Sequence, residues 1–337
     1  MSAHVELPAV PPLGPLYARA LAGTARRAVG RRPGDRAGAL PDVGYAVHGV
    51  AVDTVRLAAY QALMGLRAAD RLPAGFVHTV AFPLHLALMV RGDFPLAPAG
   101  MIHVANRVTQ RHPLFRDDRL DVRVRADRLR AHRSGTQLDL VAEVRRAGAA
   151  EVAWEGVSTY LARGVRLAGP LGSVPPDDAP DDAASDTDLA ADESPGPRRT
   201  ADERPPGDPA PDADAPAWHP PVPTGSWRLG ADTGRRYAEV SGDRNPVHLS
   251  RLTARLFGFR RPIAHGMYTA GRALADVGPA AGHTFVWTAE FTKPLLLPAT
   301  VAVSVAARND GYAYTVWRQG AGRPYLTGEV RPLGTDG

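Results

Sequence analysis

No cysteine occurs in this chain of 337 residues, so neither a disulfide nor a thiolate metal site can be built. That absence fits a reducing compartment, and a cytoplasmic location is expected. Lysine is almost missing too: Lys293 stands alone among 40 cationic side chains, the others being arginine. The skew reads as genomic base composition and carries no functional argument. Aromatic residues make up only 7% of the chain. With no recognised nucleic-acid motif beside that low content, no nucleic-acid partner is expected, despite an isoelectric point near 9.8. No apolar run reaches the ~18 residues a membrane helix needs, so no membrane span is expected. The N-terminal MSAHVELPAVPPLGPLYARAL lacks the basic-then-apolar order of a secretion signal, and none is expected. None of the eleven histidines has a partner at H-x-x-x-H or similar spacing, so no metal site is expected.

What is present divides the chain. Residues 175–215 hold thirteen acidic side chains against three arginines, a net of −10. The rest of a chain of net charge +5 therefore carries +15. A basic body of that kind suits an anionic ligand or an acidic carrier, although solvated arginines on exposed strand faces explain much of it equally well. The same segment has nine prolines, no aromatic residue and one leucine, Leu189, so it cannot bury enough apolar surface to offset the entropy of ordering. Three regions are expected: 1–165, an acidic disordered linker over 166–220, and 221–337.

The flanking regions read as one pattern used twice. In the second, a strand at Trp227–Leu229 precedes polar turns and an apolar helix over 264–276. Strands follow at Phe285–Phe291, Thr300–Arg308, Tyr312–Arg318 and Pro324–Pro332, with a hairpin turn at Asp310-Gly311. In the first, a strand at Tyr45–Val50 precedes helices at Thr54–Leu66 and Phe82–Val90. Strands follow at Ile102–Gln110, Arg119–Ala131, Thr136–Arg145 and Glu151–Leu161. Periodicity alone gives a helix packed on an antiparallel sheet, an α+β arrangement, in each region.

The most informative stretch is YAEVSGDRNPVHLSRLTARLFGFRRPIAHGM, residues 237–267. Asn245 is a good N-cap and Pro246 suits the first position of a short helix, so His248 falls in its first turn, close to the loop carrying Asp243. A second helical stretch, Leu249–Phe257, stops at Gly258. Asp243 and His248 can together orient and deprotonate one water. Gly266, at the positive end of the apolar helix, lets a ligand approach the backbone and offers its N–H to a developing oxyanion. Ser241 and Asn245 read as hydrogen-bonding supports of the turn. Tyr237 is core, pocket wall or hydrogen-bond partner, with the core reading favoured, and His265 either touches substrate or orients the loop. Any one of these residues alone is an ordinary capping or surface residue.

Taken jointly, Tyr237, Ser241-Gly242-Asp243, Asn245-Pro246, His248 and Ala264-His265-Gly266-Met267 resemble the signature of MaoC-like (R)-specific enoyl-CoA hydratases. The resemblance implies a double hot-dog fold, each half an antiparallel sheet wrapped around a long central helix. It implies a hydro-lyase that reversibly hydrates trans-2-enoyl thioesters to (R)-3-hydroxyacyl thioesters. Asp243 and His248 would be catalytic and Gly266 would bind the thioester, with Ser241, Gly242, Asn245, Pro246, His265 and Tyr237 in support. No cofactor is implied, coenzyme A or an acyl carrier protein being part of the substrate, and a homodimer of double hot-dogs is compatible with it.

The first region departs from the motif. Tyr60 and Gly65 repeat the spacing of Tyr237 and Gly242, but Leu66 stands where the aspartate should be and Ala68-Ala69 replaces asparagine-proline. Residues 72–95 resemble the non-catalytic half of two-domain members, with His78 and His85 expected as core or pocket-lining residues. This half should pair with the other and leave room for an acyl chain. Two other functions stay open on sequence grounds: a hot-dog acyl-CoA thioesterase, and a non-catalytic protein that binds acyl thioesters.

Overall fold

The structure, a computed structural model, describes residues 3–30, 38–167, 172–173 and 218–334. The segment expected as a linker lies outside these residues, apart from 166–167, 172–173 and 218–220. The first half runs β1 (Ala3–Glu6), α1 (Leu13–Gly30), β2 (Val43–Ala51), α2 (Thr54–Met64) and α3 (Ala74–Met89). It continues through β3 (Met101–Gln110), β4 (Arg119–His132), β5 (Gly135–Arg146), β6 (Trp154–Arg163) and the two-residue β7 (Gly172–Ser173). The second half runs β8 (Gly225–Leu229), α4 (Thr233–Ser241), α5 (Arg251–Leu256) and α6 (Gly266–Val277). Strands β9 (Phe285–Phe291), β10 (Ala299–Arg308), β11 (Gly311–Trp317) and β12 (Leu326–Pro332) complete it.

The strands lie in the order β1-β2-β4-β5-β6-β3-β9-β12-β11-β10-β8, with β7 beside β4. Read outward from the centre, each half repeats the same succession, and the two meet where β3 pairs antiparallel with β9. That seam runs from Ala105 opposite Glu290 to Gln110 opposite Phe285. Each sheet wraps one central helix, α3 or α6, so the chain is an α+β double hot-dog. Arg56 of α2 ties the helical layer together, donating through Nε to the Val240 carbonyl (2.8 Å) and through Nη2 to Thr79 Oγ1 (2.7 Å). Among the described residues no helix is long and apolar enough to cross a membrane.

Helices α2 and α4 end alike for a backbone reason. Gly65 after α2 and Gly242 after α4 both take left-handed φ angles, 73° and 76°, that close a helix and that a Cβ would disfavour. The strands follow their expected ranges closely, and the β10–β11 hairpin closes on Asn309-Asp310, one residue before the expected pair.

One boundary needs correction. Helix α3 starts at Ala74, not Phe82. Pro83 suits a first helical turn on sequence grounds, yet it sits in the helix interior. All sixteen residues of α3 are buried. Phe76, Val77, Leu84 and Leu88 alone, at about 1.5–3 kcal/mol each, outweigh an interior-proline penalty of roughly 3 kcal/mol. Strand β1, which pairs parallel with β2, and helix α1 were not anticipated at all.

Candidate active site

Helix α4 delivers the chain to Gly242, whose turn puts Asp243 at the mouth of a cavity of about 450 Å³. Ser241 Oγ donates to the Tyr237 carbonyl (2.8 Å) and accepts the Asp243 N–H (3.0 Å), so the hydroxyl splints helix end to turn. The Asp243 carboxylate folds back on its own loop, Oδ1 accepting the Asn245 N–H at 3.1 Å. Asn245 in turn accepts the Val247 N–H at 3.4 Å, and Pro246 opens a 3₁₀ turn, Pro246–His248, that presents the imidazole. Gly234 is required beneath it, since a Cβ there would run into the His248 carbonyl.

The second imidazole comes from the other side. His265 is the residue before α6 and is buried. Its ring stacks on His248 with centroids 3.6 Å apart and packs on Tyr237 at 4.8 Å. Gly266 is the first residue of α6, so its N–H is among those a helix leaves without an internal acceptor. A Cβ at Gly266 would sit 2.9 Å from the Phe291 ring, so only glycine lets the helix start this close to β9.

Hydrogen bonding fixes both tautomers. His248 Nδ1 lies 2.8 Å from the Ile263 carbonyl oxygen, which can only accept. Nδ1 therefore carries the proton and Nε2 keeps a lone pair. His265 Nε2 lies 3.0 Å from the Asp243 carbonyl oxygen and carries its proton by the same argument. Burial pushes His248 below its ordinary range, only partly offset by Asp243 and the Ile263 bond. Burial pushes His265 down to about 3, with His248 adding to the effect. Burial would raise Asp243, but His265, His248, the Asn245 N–H and a tyrosine hydroxyl together hold it below the usual carboxylate range. The pair is thus an ionised carboxylate and a neutral imidazole near neutral pH.

That tyrosine is Tyr17 of α1, which the sequence reading missed. Its hydroxyl stands 3.1 Å from Asp243 Oδ1 and 3.2 Å from the Gly242 carbonyl, and it accepts the Arg244 N–H at 2.7 Å. Burial first, then Asp243, raises its pKa, so it remains a donor. A partner 226 positions away leaves no local signal. The first half also supplies cavity wall: His78 and Phe82 from α3, His103 from β3, and Tyr160 and Arg163 from β6. His78 lines the cavity, whereas His85 is core.

Asp243, His248 and His265 offer ligand atoms within 4.8 Å of one another, a set that could hold a cation. Sequence spacing gave no hint of it, because the fold draws the three from separate turns. Two of its nitrogens are already committed to backbone carbonyls. The chemistry open to the unaided set is proton transfer.

Residues 215–315 match the family described as MaoC like domain. The chain is 33% identical to 3-hydroxyacyl-thioester dehydratase X of Mycobacterium tuberculosis over 294 residues, 87% of this chain and 91% of that protein. A 73-residue stretch is 41% identical to 3-hydroxybutyryl-CoA dehydratase of Methylorubrum extorquens, covering 20% of this chain and 46% of the relative. In structure the chain resembles HtdX of Mycobacterium tuberculosis with a TM-score of 0.66 at 31% identity. That match covers 86% of this chain and all of the other.

Proposed function

This chain belongs to the MaoC-like dehydratases, which are hydro-lyases, and from that premise we propose that it interconverts (R)-3-hydroxyacyl and trans-2-enoyl thioesters. The observation that carries the proposal is an ionised carboxylate beside an imidazole with a free Nε2, both lining one cavity. In the dehydration direction His248 Nε2 takes the α-proton of the 3-hydroxyacyl thioester. The electrons of that C–H bond form the double bond, and the β-carbon–oxygen bond breaks. The departing hydroxyl collects the proton from His248 and leaves as water. Asp243 orients that hydroxyl and stabilises the transient imidazolium. Enolate charge on the thioester oxygen is met by the Gly266 N–H at the positive end of α6. Hydration runs the same steps backwards, and acid–base assistance of this kind is worth on the order of 10²–10⁴ in rate.

Coenzyme A is the favoured carrier, since Arg163 and Lys293 line the cavity and suit its phosphates. Both proton-handling groups address one face of the bound acyl plane, which requires a single product isomer, and the family resemblance makes it (R). Chiral analysis of the product from crotonyl-CoA and water tests the assignment. We predict (R)-3-hydroxybutyryl-CoA with no release of free thiol. An (S) product would overturn the stereochemical part, and stoichiometric thiol release would indicate a thioesterase instead.

A further inference from the structure

The first half carries a cavity of its own. It has about 540 Å³ and lies at the place related to the catalytic cavity by the pseudo-symmetry of the two halves. Tyr60, Gly65 and Leu66 border it as Tyr237 and Asp243 border the other, and Gly75 lies in the first turn of α3 as Gly266 does in α6. The central helix of the opposite half closes it, here through Leu274 and Ala275 of α6. Its size falls within the range of small-molecule sites.

The interior is apolar, but the rim is cationic. Arg67 is exposed and Arg71 half-buried, and both line the opening. Arg71 Nη1 donates to the Gly282 carbonyl (3.3 Å) and contacts His283 Nδ1, neither of them a carboxylate. Among the described residues Arg71 has no ion-pair partner, and the neighbouring carboxylate Asp70 is taken by Arg116 at 3.2 Å. A guanidinium partly removed from water without a counter-ion is under-compensated, and an arriving anion relieves it. An apolar chamber with such a rim has the complementarity of an acyl chain bearing an anionic head.

We propose that this cavity is a second, non-catalytic binding site for acyl-CoA, its chain between α6 and the first-half helices and its phosphates at Arg67 and Arg71. The choice of ligand rests on the proposed reaction, because the same ligand class is assigned to the related cavity. No chemistry is expected there. Leu66 supplies no carboxylate, and no segment equivalent to the His248 turn lies between α2 and α3.

Titration calorimetry of the full chain with decanoyl-CoA, which has neither a β-hydroxyl nor a double bond, counts the sites. Two ligands per chain are expected. Ala275→Trp, which fills the chamber, should leave one. Arg71→Ala, which fills nothing, should weaken one class of site about tenfold or more and spare the other. Both variants should retain crotonyl-CoA turnover, which reports that they fold. One ligand per wild-type chain, or two that neither variant disturbs, overturns the second site while the reaction stands. Two sites in a protein that turns over no 3-hydroxyacyl thioester would leave the site and remove the reaction. No binding of decanoyl-CoA at all overturns the second site, and crotonyl-CoA turnover judges the reaction separately.

Discussion

The two halves share strand order, central helix and glycine elbow, yet only one carries an acid–base pair. From Gly65 to the start of α3 there are eight residues, 66–73; from Gly242 to the start of α6 there are twenty-three, 243–265. The extra length holds the whole His248 turn and α5. The first half therefore differs by more than Leu66 in place of an aspartate. It lacks the segment on which an imidazole could be mounted, while it keeps a cavity of about 540 Å³. Space and elbow are common to both halves, and the carboxylate–imidazole pair sits on the longer stretch of chain in one of them.

The sharpest way to break this comparison is to remove the pair itself. We predict that Asp243→Asn and His248→Ala each lower kcat for crotonyl-CoA hydration by on the order of 10²-fold or more while the protein stays folded. Loss of absorbance from the enoyl thioester reports the rate. Turnover close to wild type in Asp243→Asn would end the argument that the inserted stretch is the catalytic part.

Acid should separate the halves less cleanly, because buried neutral histidines lie in both. Burial lowers His78 to about 4 and His85, His103 and His265 to about 3. Unfolded, each titrates near 6.5, so below that pH the unfolded chain binds more protons than the folded one. We predict that stability is fully present above about pH 6.5 and declines as pH falls towards 3. Thermal melting over that window checks it; a flat profile would mean these rings are charged or solvated in the native state. Turnover should also fall with acid, but only below about pH 6.5, because burial holds His248 beneath its ordinary range.

A smaller effect tests whether the first half contributes to the reaction at all. Tyr17→Phe removes one donor to Asp243, and we predict a roughly tenfold drop in kcat with little change in KM, the size of one hydrogen bond to a charged group. The variant should also let the Asp243 carboxyl protonate at higher pH, read from its carboxyl carbon NMR shift, since one of the groups holding it down is gone. A purely structural tyrosine would leave that titration in place. Smallest of all is Leu66→Asp, for which we predict no gain in turnover even when His248 is absent. Any measurable rescue would show that the elbow alone suffices.

These contrasts explain what could be read from the sequence. Asp243, Asn245, His248 and Gly266 fall within thirty-one contiguous residues, so their convergence is local and legible. The strands were legible because alternation along each one reports its buried face, as in β4, where Leu120, Val122 and Val124 point inward. The start of α3 was not, because Pro83 is a local signal that tertiary burial overrides. Tyr17, His103 and Tyr160 were hidden for a different reason: Tyr17 reaches Asp243, and the other two reach the cavity, from a helix or strand far away in sequence. The tautomer of His248 depends on the Ile263 carbonyl and could only come from coordinates.

The β3–β9 pairing has a consequence for how this protein behaves on dilution. Where two separate hot-dog subunits meet, the joint obeys mass action, and its occupancy falls as the molecules are spread apart. Here both strands belong to one chain, so each meets its partner at an effective concentration that the flask does not set. The cavity beside Asp243 and His248, with walls from both halves, is therefore held together within a single molecule.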